Sequence, residues 1–481
     1  MDWLQAPDYW LTRLVLERAL GAIYLVAFIV TANQFRPLLG ENGLLPAPLF
    51  LSRVSFLQAP SLFQLRYSDP LLLAVSWSGV ALSLAVVVGA VDAVPPWISI
   101  LVWFVLWVLY QSIVNVGQIF YGFGWETLLL EAGFLAIFLG AGPTVPMFPL
   151  ILLFRWLVFR VEFGAGMIKL RGDRCWRDLT CLYYHHETQP MPNPLSWFFH
   201  HLPRPLHRVE VLGNFFAQLV VPFFLFAPQP VASVAGVLIV LTQGWLVLSG
   251  NFSWLNVLTM TLAFSAFDDH TLSLVLPISH PHLTPLPLWW QVVVIAVTLL
   301  VLVLSYRPAR NLISRQQLMN FSFDPFHLVN TYGAFGSITK ERFEIVVEGN
   351  ADPGDEAGWK EYEFKGKPGN PRDVPRQFAP YHLRLDWLMW FAAMESPFRH
   401  QWFIAFVIKL LEGDRPTIKL LRHNPFPDHP PHVVRARLYR YRFSTWRQLR
   451  REHAWWARSH EGEYLPAITL DSAGQPRRVR A

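Results

Sequence analysis

The sequence predicts a polytopic α-helical membrane protein with a β-rich C-terminal domain. Hydrophobic residues make up 53% of the 481 residues, more than a soluble chain of this length requires. Apolar runs in the first 306 residues reach the roughly 20 residues that a helix needs to cross a bilayer. From Phe343 onward, apolar and polar residues instead alternate with the period of a β-strand.

The apolar runs predict about nine membrane spans. They cover residues 14–34, 70–92, 97–116, 124–141, 147–170, 210–228, 231–249, 252–267 and 287–306. We expect no cleavable signal peptide, because a polar and aromatic lead precedes the first run and no small-residue cleavage site follows it. The predicted membrane domain therefore comprises residues 1–306.

The predicted span at 147–170 is unusual because it is charged. Its charged residues are Arg155, Arg160, Glu162 and Lys169. Such charges survive at membrane depth only where they face protein, water or each other. All but Arg160 are spaced by seven residues and project from one helix face, whereas Arg160 needs a carboxylate of the preceding span. Either this face is a structural charge ladder, or it binds a ligand, moves a proton or takes part in catalysis.

The connection at 171–209 is too long for a simple turn, and loops of this length are often functional. It contains Cys175, Cys181, His185, His186, His200, His201 and His207. Four interpretations stay open: a metal site, a disulfide or redox pair, acid–base chemistry by a histidine beside Lys169, and an aromatic cover over the helix bundle. Because adjacent histidines rarely bind the same ion, we expect no metal and no cofactor. The candidate catalytic residues are Lys169, Glu162, His185 and His186.

The residues after the last span change in character. An interfacial linker is predicted at 307–320, followed by the β-rich domain at 321–450 and a basic tail at 451–481. The domain should contain strands near 343–348, 361–365, 417–421 and 433–443, and a helix at 382–394. Basic and aromatic residues do not interleave as in a nucleic-acid-binding module. Membrane lipids, and not nucleic acids, are therefore the expected surface partner.

Five long motifs resemble the lipase maturation factor family, which has bacterial relatives. They are GFGWETLLLEAGFLAIFL at 122–139, RWLVFRVEFGAGMIKLRGDRCWRDLTCLYYHHETQPMPNPLSWFFHHLP at 155–203, NTYGAFGSITKERFEIVVEG at 330–349, WKEYEFKGKPGNPRDVPRQFAPYHLRLDWLMWFAA at 359–393 and LLRHNPFPDHPPHVVRARLYRYRFS at 420–444. Animal members are endoplasmic reticulum membrane proteins that help secreted lipases fold and assemble. The resemblance implies a membrane-bound maturation factor or chaperone with a secreted lipase-like client.

The family resemblance also bears on orientation. With nine spans, the basic segments 35–69, 171–208 and the C-terminal third share one side, which the positive-inside rule would place in the cytoplasm. The resemblance implies the luminal or periplasmic side, in an endoplasmic reticulum or bacterial inner membrane. We adopt that placement, since translocated domains tolerate basic residues. An oxidising compartment would favour a Cys175–Cys181 disulfide.

Exposed aromatic and arginine residues in the C-terminal domain are predicted to contact the client, because such residues dominate interface hot spots. They are Tyr381, Arg384, Trp387, Trp390 and Arg399. Core packing is the alternative for Trp387 and Trp390.

A shorter pattern suggests a different function. The segment GMIKL at 166–170, followed by Asp173, Trp176 and GNFSWL at 250–255, is similar to the transmembrane domain of vitamin K-dependent γ-carboxylase. There, a lysine in the matching place serves as a base. This resemblance implies an integral membrane enzyme that acts on a lipophilic substrate or quinone with Lys169 as base. It predicts a polar cavity between the fourth, fifth and sixth spans.

Overall fold

The computed structural model describes residues 4–279, 281–352 and 354–479. The helices of the membrane half are α1 (Trp10–Leu39), α2 (Ala47–Leu51), α3 (Asp69–Val87), α4 (Pro96–Val116), α5 (Gly124–Ala136), α6 (Phe148–Arg171), α7 (Arg174–Arg177), α8 (Leu182–Thr188), α9 (Ser196–His200), α10 (Arg204–Leu219), α11 (Val231–Ser249), α12 (Leu255–Ala263), α13 (Asp269–Ser273), α14 (Leu288–Leu304) and α15 (Tyr306–Ile313). Prolines begin several long helices, where a missing N–H costs no hydrogen bond.

Within the described residues, six helical segments are long and apolar enough to cross a membrane. They are Pro7–Leu39, Asp69–Val87, Pro96–Val116, Arg204–Phe226, Val231–Ser249 and Leu288–Ile313. The other three predicted spans correspond to α5, α6 and α12. Of these, α6 is long but charged, and the other two are short. The chain is an integral membrane protein, and its span number of about nine stays a prediction.

The connections between these helices gather at two ends of the bundle. At one end, the Trp10 indole at the start of α1 donates to the Gly142 carbonyl, which follows α5 (3.0 Å). At the other end, the Gln34 amide near the end of α1 donates to the His382 carbonyl of the C-terminal domain (2.6 Å). The C-terminal domain therefore caps one end of the bundle.

The C-terminal domain is built on one five-stranded antiparallel sheet, with strand order β2-β1-β3-β4-β5. The strands are β1 (Arg342–Asn350), β2 (Lys360–Glu361), β3 (Val433–Phe443), β4 (Trp456–Leu470) and β5 (Pro476–Arg478), and the helices are α16 (Arg384–Ala392), α17 (Gln401–Leu411), α18 (Arg415–Ile418) and α19 (Trp446–Glu452). Strand β1 pairs with β3 along its whole length, from Arg342 opposite Tyr441 to Asn350 opposite Val433.

The predicted strands at 343–348 and 433–443 are present as β1 and β3, and the predicted helix at 382–394 is α16. The prediction of a strand at 417–421 is wrong, because the segment begins in the short helix α18. Asp414 caps this helix by accepting a hydrogen bond from the Thr417 amide. The sheet also continues past residue 450, the predicted end of the domain. Strands β4 and β5 use residues of the predicted basic tail, of which 480 and 481 lie outside the described residues.

One hydrophobic core extends from the membrane helices into the C-terminal domain. The Trp387 ring of α16 meets the Trp125 ring of α5 edge to face, with centroids 5.0 Å apart. The Trp402 ring of α17 packs against Phe120 in the same way, at 6.0 Å. Burial of these large rings fixes the domain on the bundle end.

Candidate functional site

A cavity of about 1310 Å³ lies where the helix bundle meets the C-terminal domain. Helices α6, α10, α11 and α12 line it, together with the start of α5, residues 332–337 and α16. Most lining side chains are apolar. The polar ones include Glu162, Lys169, His185, Glu210, Asn214, Gln218, Gln243 and Asn256. The cavity thus combines an apolar wall with a few convergent polar groups, as ligand sites do.

Lys169 lies buried in the cavity wall near the end of α6. Its Nζ donates to Asn214 Oδ1 (2.8 Å) and Gln218 Oε1 (3.0 Å). The ammonium also lies 5.0 Å from the centre of the Trp176 ring, a cation–π distance. Neutral oxygens and an aromatic face therefore hold this cation, and Glu162 is not its ion-pair partner.

The charged face of α6 is not an ion-pair ladder. Glu162 accepts a hydrogen bond from Gln243 (2.6 Å), and Arg155 donates to the carbonyl groups of Ser265 (2.9 Å) and Leu225 (3.0 Å). Among the described residues, no ion pair joins the three members of the predicted ladder. Seven residues rise about 10.5 Å along a helix, too far for one carboxylate to reach both neighbours. Groups on adjacent helices are closer.

Arg160 has the carboxylate partner in the preceding span that its position requires. It forms a buried ion pair with Glu131 of α5 and donates to the Asn330 carbonyl (2.7 Å). Glu131 also accepts hydrogen bonds from the Asn330 amide (3.0 Å) and the Tyr332 hydroxyl (2.7 Å). This pair therefore fastens the segment between the last membrane helix and the sheet onto the bundle.

Arg384 forms a second buried ion pair with α5. Its Nη1 lies 2.7 Å from Glu126 Oε1 and also donates to the Phe120 carbonyl (2.7 Å). The guanidinium stacks 3.4 Å from the centre of the Tyr121 ring. The prediction that Arg384 contacts a client is wrong, because its side chain is enclosed between the two domains.

Trp387 is also buried. It packs against Trp125 and Phe123 of the membrane half. The prediction that it contacts a client is therefore wrong, and the core-packing alternative describes it. The aromatic and arginine residues of this segment do not by themselves show whether they face a partner protein or the helix bundle.

The other three predicted client contacts retain some exposure. Trp390 donates its indole N–H to the Thr188 carbonyl (2.9 Å) and lines the cavity. The Tyr381 hydroxyl accepts from Asn33 (3.4 Å), and Arg399 lies on the surface. Beside it, Phe398 is 77% exposed. Sequence reasoning missed Phe398, since one apolar residue in a turn carries no pattern.

A disulfide joins Cys175 to Cys181 at the start of the long loop. The two cysteines pack with Trp176, Leu182 and Val211 in a small hydrophobic cluster. The loop is also bound to the segment before the sheet, because the Trp176 indole donates to the Phe335 carbonyl (2.8 Å). The disulfide therefore sits directly beside the end of α6 that carries Lys169.

The two histidines of the predicted catalytic set point to different surroundings. His185 lines the cavity and stacks parallel to the Phe252 ring, with centroids 6.1 Å apart. Burial lowers the pKa of His185 to about 3, so its ring is neutral near pH 7. His186 does not line the cavity and lies beside His207. The structure therefore brings Glu162, Lys169 and His185 to one cavity, without His186.

Three polar residues of α10 were missed by the sequence analysis. Glu210, Asn214 and Gln218 follow one another at intervals of four residues and all reach the cavity. This spacing places them on one helix face. The interval of four was therefore a signal that one polar face of this helix turns inward.

Comparisons with known proteins cover both halves of the chain. The family model described as the lipase maturation factor transmembrane domain matches residues 11–274, and the one described as the lipase maturation factor C-terminal domain matches residues 328–466. The chain belongs to the lipase maturation factor family. The two matches fall on the helix bundle and on the sheet domain that caps it.

Relatives in this family align along almost the whole chain. Lipase maturation factor 1 of Homo sapiens is 41% identical over 97% of this chain and 89% of its own length, and the Mus musculus protein of that name shows the same values. Lipase maturation factor 2 of Homo sapiens is 29% identical over 96% of this chain and 83% of its own length. No solved structure matches the chain. The alternative of an enzyme related to γ-carboxylase receives no support from these comparisons.

Proposed function

We propose that this protein is a membrane-bound maturation factor that assists the folding or assembly of secreted lipase-like proteins. The single observation that carries the proposal is the 41% identity to Lipase maturation factor 1 over 97% of the chain. Such coverage includes the helix bundle, the long loop and the sheet domain together. Lipase maturation, the function that the relatives are named for, is therefore proposed for the intact protein and not for one domain.

The client-facing surface is proposed to lie on residues 390–399 of the C-terminal domain. This segment carries three exposed apolar side chains, those of Phe391, Met394 and Phe398, next to the exposed guanidinium of Arg399. Exposed apolar residues rimmed by charge are typical of protein interaction sites. A lipase chain that has not yet buried its own apolar surface is a suitable occupant.

The capped end of the bundle is proposed to face the lumen or periplasm. The client is secreted, so it meets the protein on that side of the membrane. The Cys175–Cys181 disulfide at the same end supports the proposal, because disulfides persist in oxidising compartments.

Coexpression with a secreted lipase tests the proposed function. In cells lacking their own lipase maturation factor, the wild-type protein should co-purify with the lipase and raise the secreted lipase activity. Phe398→Asp should lower both readouts, because it places a charge in the apolar contact. Leu274→Asp is the matched control, since Leu274 is also 77% exposed and follows α13 at the opposite end. Unchanged lipase activity with the wild-type protein would refute the proposal.

A further inference from the structure

Three side chains from two helices converge beside the cavity: His186 of α8, and His207 and Glu210 of α10. Their donor atoms all lie within 4.8 Å of one another. His186 Nε2 is 3.8 Å and His207 Nδ1 is 3.9 Å from Glu210 Oε2. These distances are too long for hydrogen bonds. Ligands of a tetrahedral zinc ion, bound at about 2.0–2.1 Å, lie roughly 3.3 Å apart, so a small inward movement would let all three bind one ion.

The same three side chains carry buried polar atoms without a partner. Both ring nitrogens of His186, Nδ1 of His207 and Oε2 of Glu210 accept or donate no hydrogen bond within the described part of the chain. The His186 and His207 side chains are only 1% and 2% exposed. Buried polar atoms are nearly always satisfied. We propose that His186, His207 and Glu210 bind a divalent transition-metal ion, with zinc as the preferred ion.

Neighbouring groups orient two of these ligands. His207 Nε2 lies 3.4 Å from the His200 carbonyl oxygen, which can only accept, so Nε2 donates there and Nδ1 is the ring nitrogen that faces Glu210. The Trp245 indole donates to Glu210 Oε1 (2.7 Å), which leaves Oε2 for the ion. Such outer contacts fix the tautomer and direction of metal ligands.

The donor set identifies the class of metal. Two imidazoles and one carboxylate, with one position left open, form a common zinc ligand set. Glu210 lines the cavity and its side chain is 15% exposed, which places the proposed site at the cavity wall. The bound ion fastens the long loop to α10. Sequence reasoning expected no metal because histidine doublets seldom bind together, but this site takes only one member of a doublet.

Metal analysis of the full-length protein tests the proposal. The protein, purified in detergent with a tag that contains no histidine, should retain about one zinc ion per chain. After chelation, added Co²⁺ should give the visible absorption of a tetrahedral site, and Zn²⁺ should abolish it. Added zinc should also raise the unfolding temperature of the stripped protein. None of these readouts depends on lipase maturation, so the two proposals can fail separately.

Variants locate the ion. His186→Ala, His207→Ala and Glu210→Gln should each lose zinc retention and the cobalt absorption. His201→Ala is the matched control, because its Nδ1 already contacts the Trp197 carbonyl (2.8 Å) and it should bind like the wild type. Absence of zinc and cobalt binding in the wild type would overturn the proposal even if the variants fail to fold. Unchanged binding in the three variants, or equal loss in the control, would also overturn it.

Discussion

Arg384 of the C-terminal domain and Glu126 of the membrane helix α5 form an ion pair that is shielded from solvent, with Nη1 and Oε1 2.7 Å apart. The pair joins two regions that match separate family models. A buried pair adds little net stability over an apolar contact, but losing one partner strands a charge. The pair therefore makes correct docking of the domain a condition for folding.

Arg384→Ala should destabilise the protein by about 3–5 kcal/mol, because Glu126 is left buried without a counter-charge. The measurement is the unfolding temperature and the yield of monodisperse protein in detergent. Replacing both partners by leucine should recover part of the loss. Lys409→Ala is the control, since its exposed pair with Glu412 contributes at most about 1 kcal/mol. If Arg384→Ala were as stable as the wild type, the proposed role of the Arg384–Glu126 pair in folding would be wrong.

On α6, Arg160→Ala and Glu162→Gln should differ strongly in their yield of folded protein. The first variant strands Glu131, which Arg160 neutralises, at a cost of about 3–5 kcal/mol. The second keeps a side-chain oxygen that can accept from Gln243, and it removes no ion pair. Size-exclusion profiles of the two variants measure this difference. Equal loss in both would restore the charge-ladder interpretation.

Lys169→Ala should keep the protein folded, because it removes contacts to the neutral side chains of Asn214 and Gln218 and strands no ion-pair partner. A lipase-maturation assay on the folded variant then reports on function alone. Loss of activity with an unchanged unfolding temperature would assign Lys169 to the working site. Loss of folded protein comparable to that of Arg160→Ala would assign it to architecture.

Cys175 and Cys181 should resist thiol-reactive labels in intact membranes until a reductant is added. The expectation follows from their disulfide and from the oxidising compartment proposed for the capped end. Label incorporation is measured by mass spectrometry, with Cys175→Ser as the control that frees Cys181. Ready labelling before reduction would contradict both the bond and the proposed orientation.

His382 should make stability fall as the pH drops below about 6.5, the usual histidine pKa. Burial, and then the nearby charge of Arg384, hold its pKa well below that value. Below pH 6.5 the unfolded chain therefore binds a proton that the folded protein does not, which favours unfolding by up to about 1.4 kcal/mol per pH unit. Unfolding temperatures measured between pH 8 and 5 should show a flatter slope for His382→Gln.

His429→Gln serves as the control for this measurement. His429 is exposed, so its replacement should leave the slope unchanged. An identical pH dependence in wild type and His382→Gln would show that other groups cause it.

Local patterns in the sequence predicted local structure well. The alternation from Phe343 onward identified β1, and the need of Arg160 for a carboxylate was met by Glu131. Arrangements that depend on packing between distant segments were not predictable. Spacing placed Glu162 on the same face as Arg155, but groups of other helices decided its hydrogen bonds. Arg384 was similarly predicted to lie on the surface, but in the structure the docked domain encloses it.

The short helices α5 and α12 leave room for the C-terminal domain at the capped end of the bundle. The 13 residues of α5 extend about 20 Å, against a hydrocarbon thickness of about 30 Å. Both helices begin at the capped end, where the Trp254 indole donates to the Trp125 carbonyl (3.0 Å). Trp387 of the C-terminal domain packs against Trp125 in the first turn of α5, so the domain continues the hydrophobic core where this short helix begins. A substitution in the domain that disturbs this contact would also expose the start of α5.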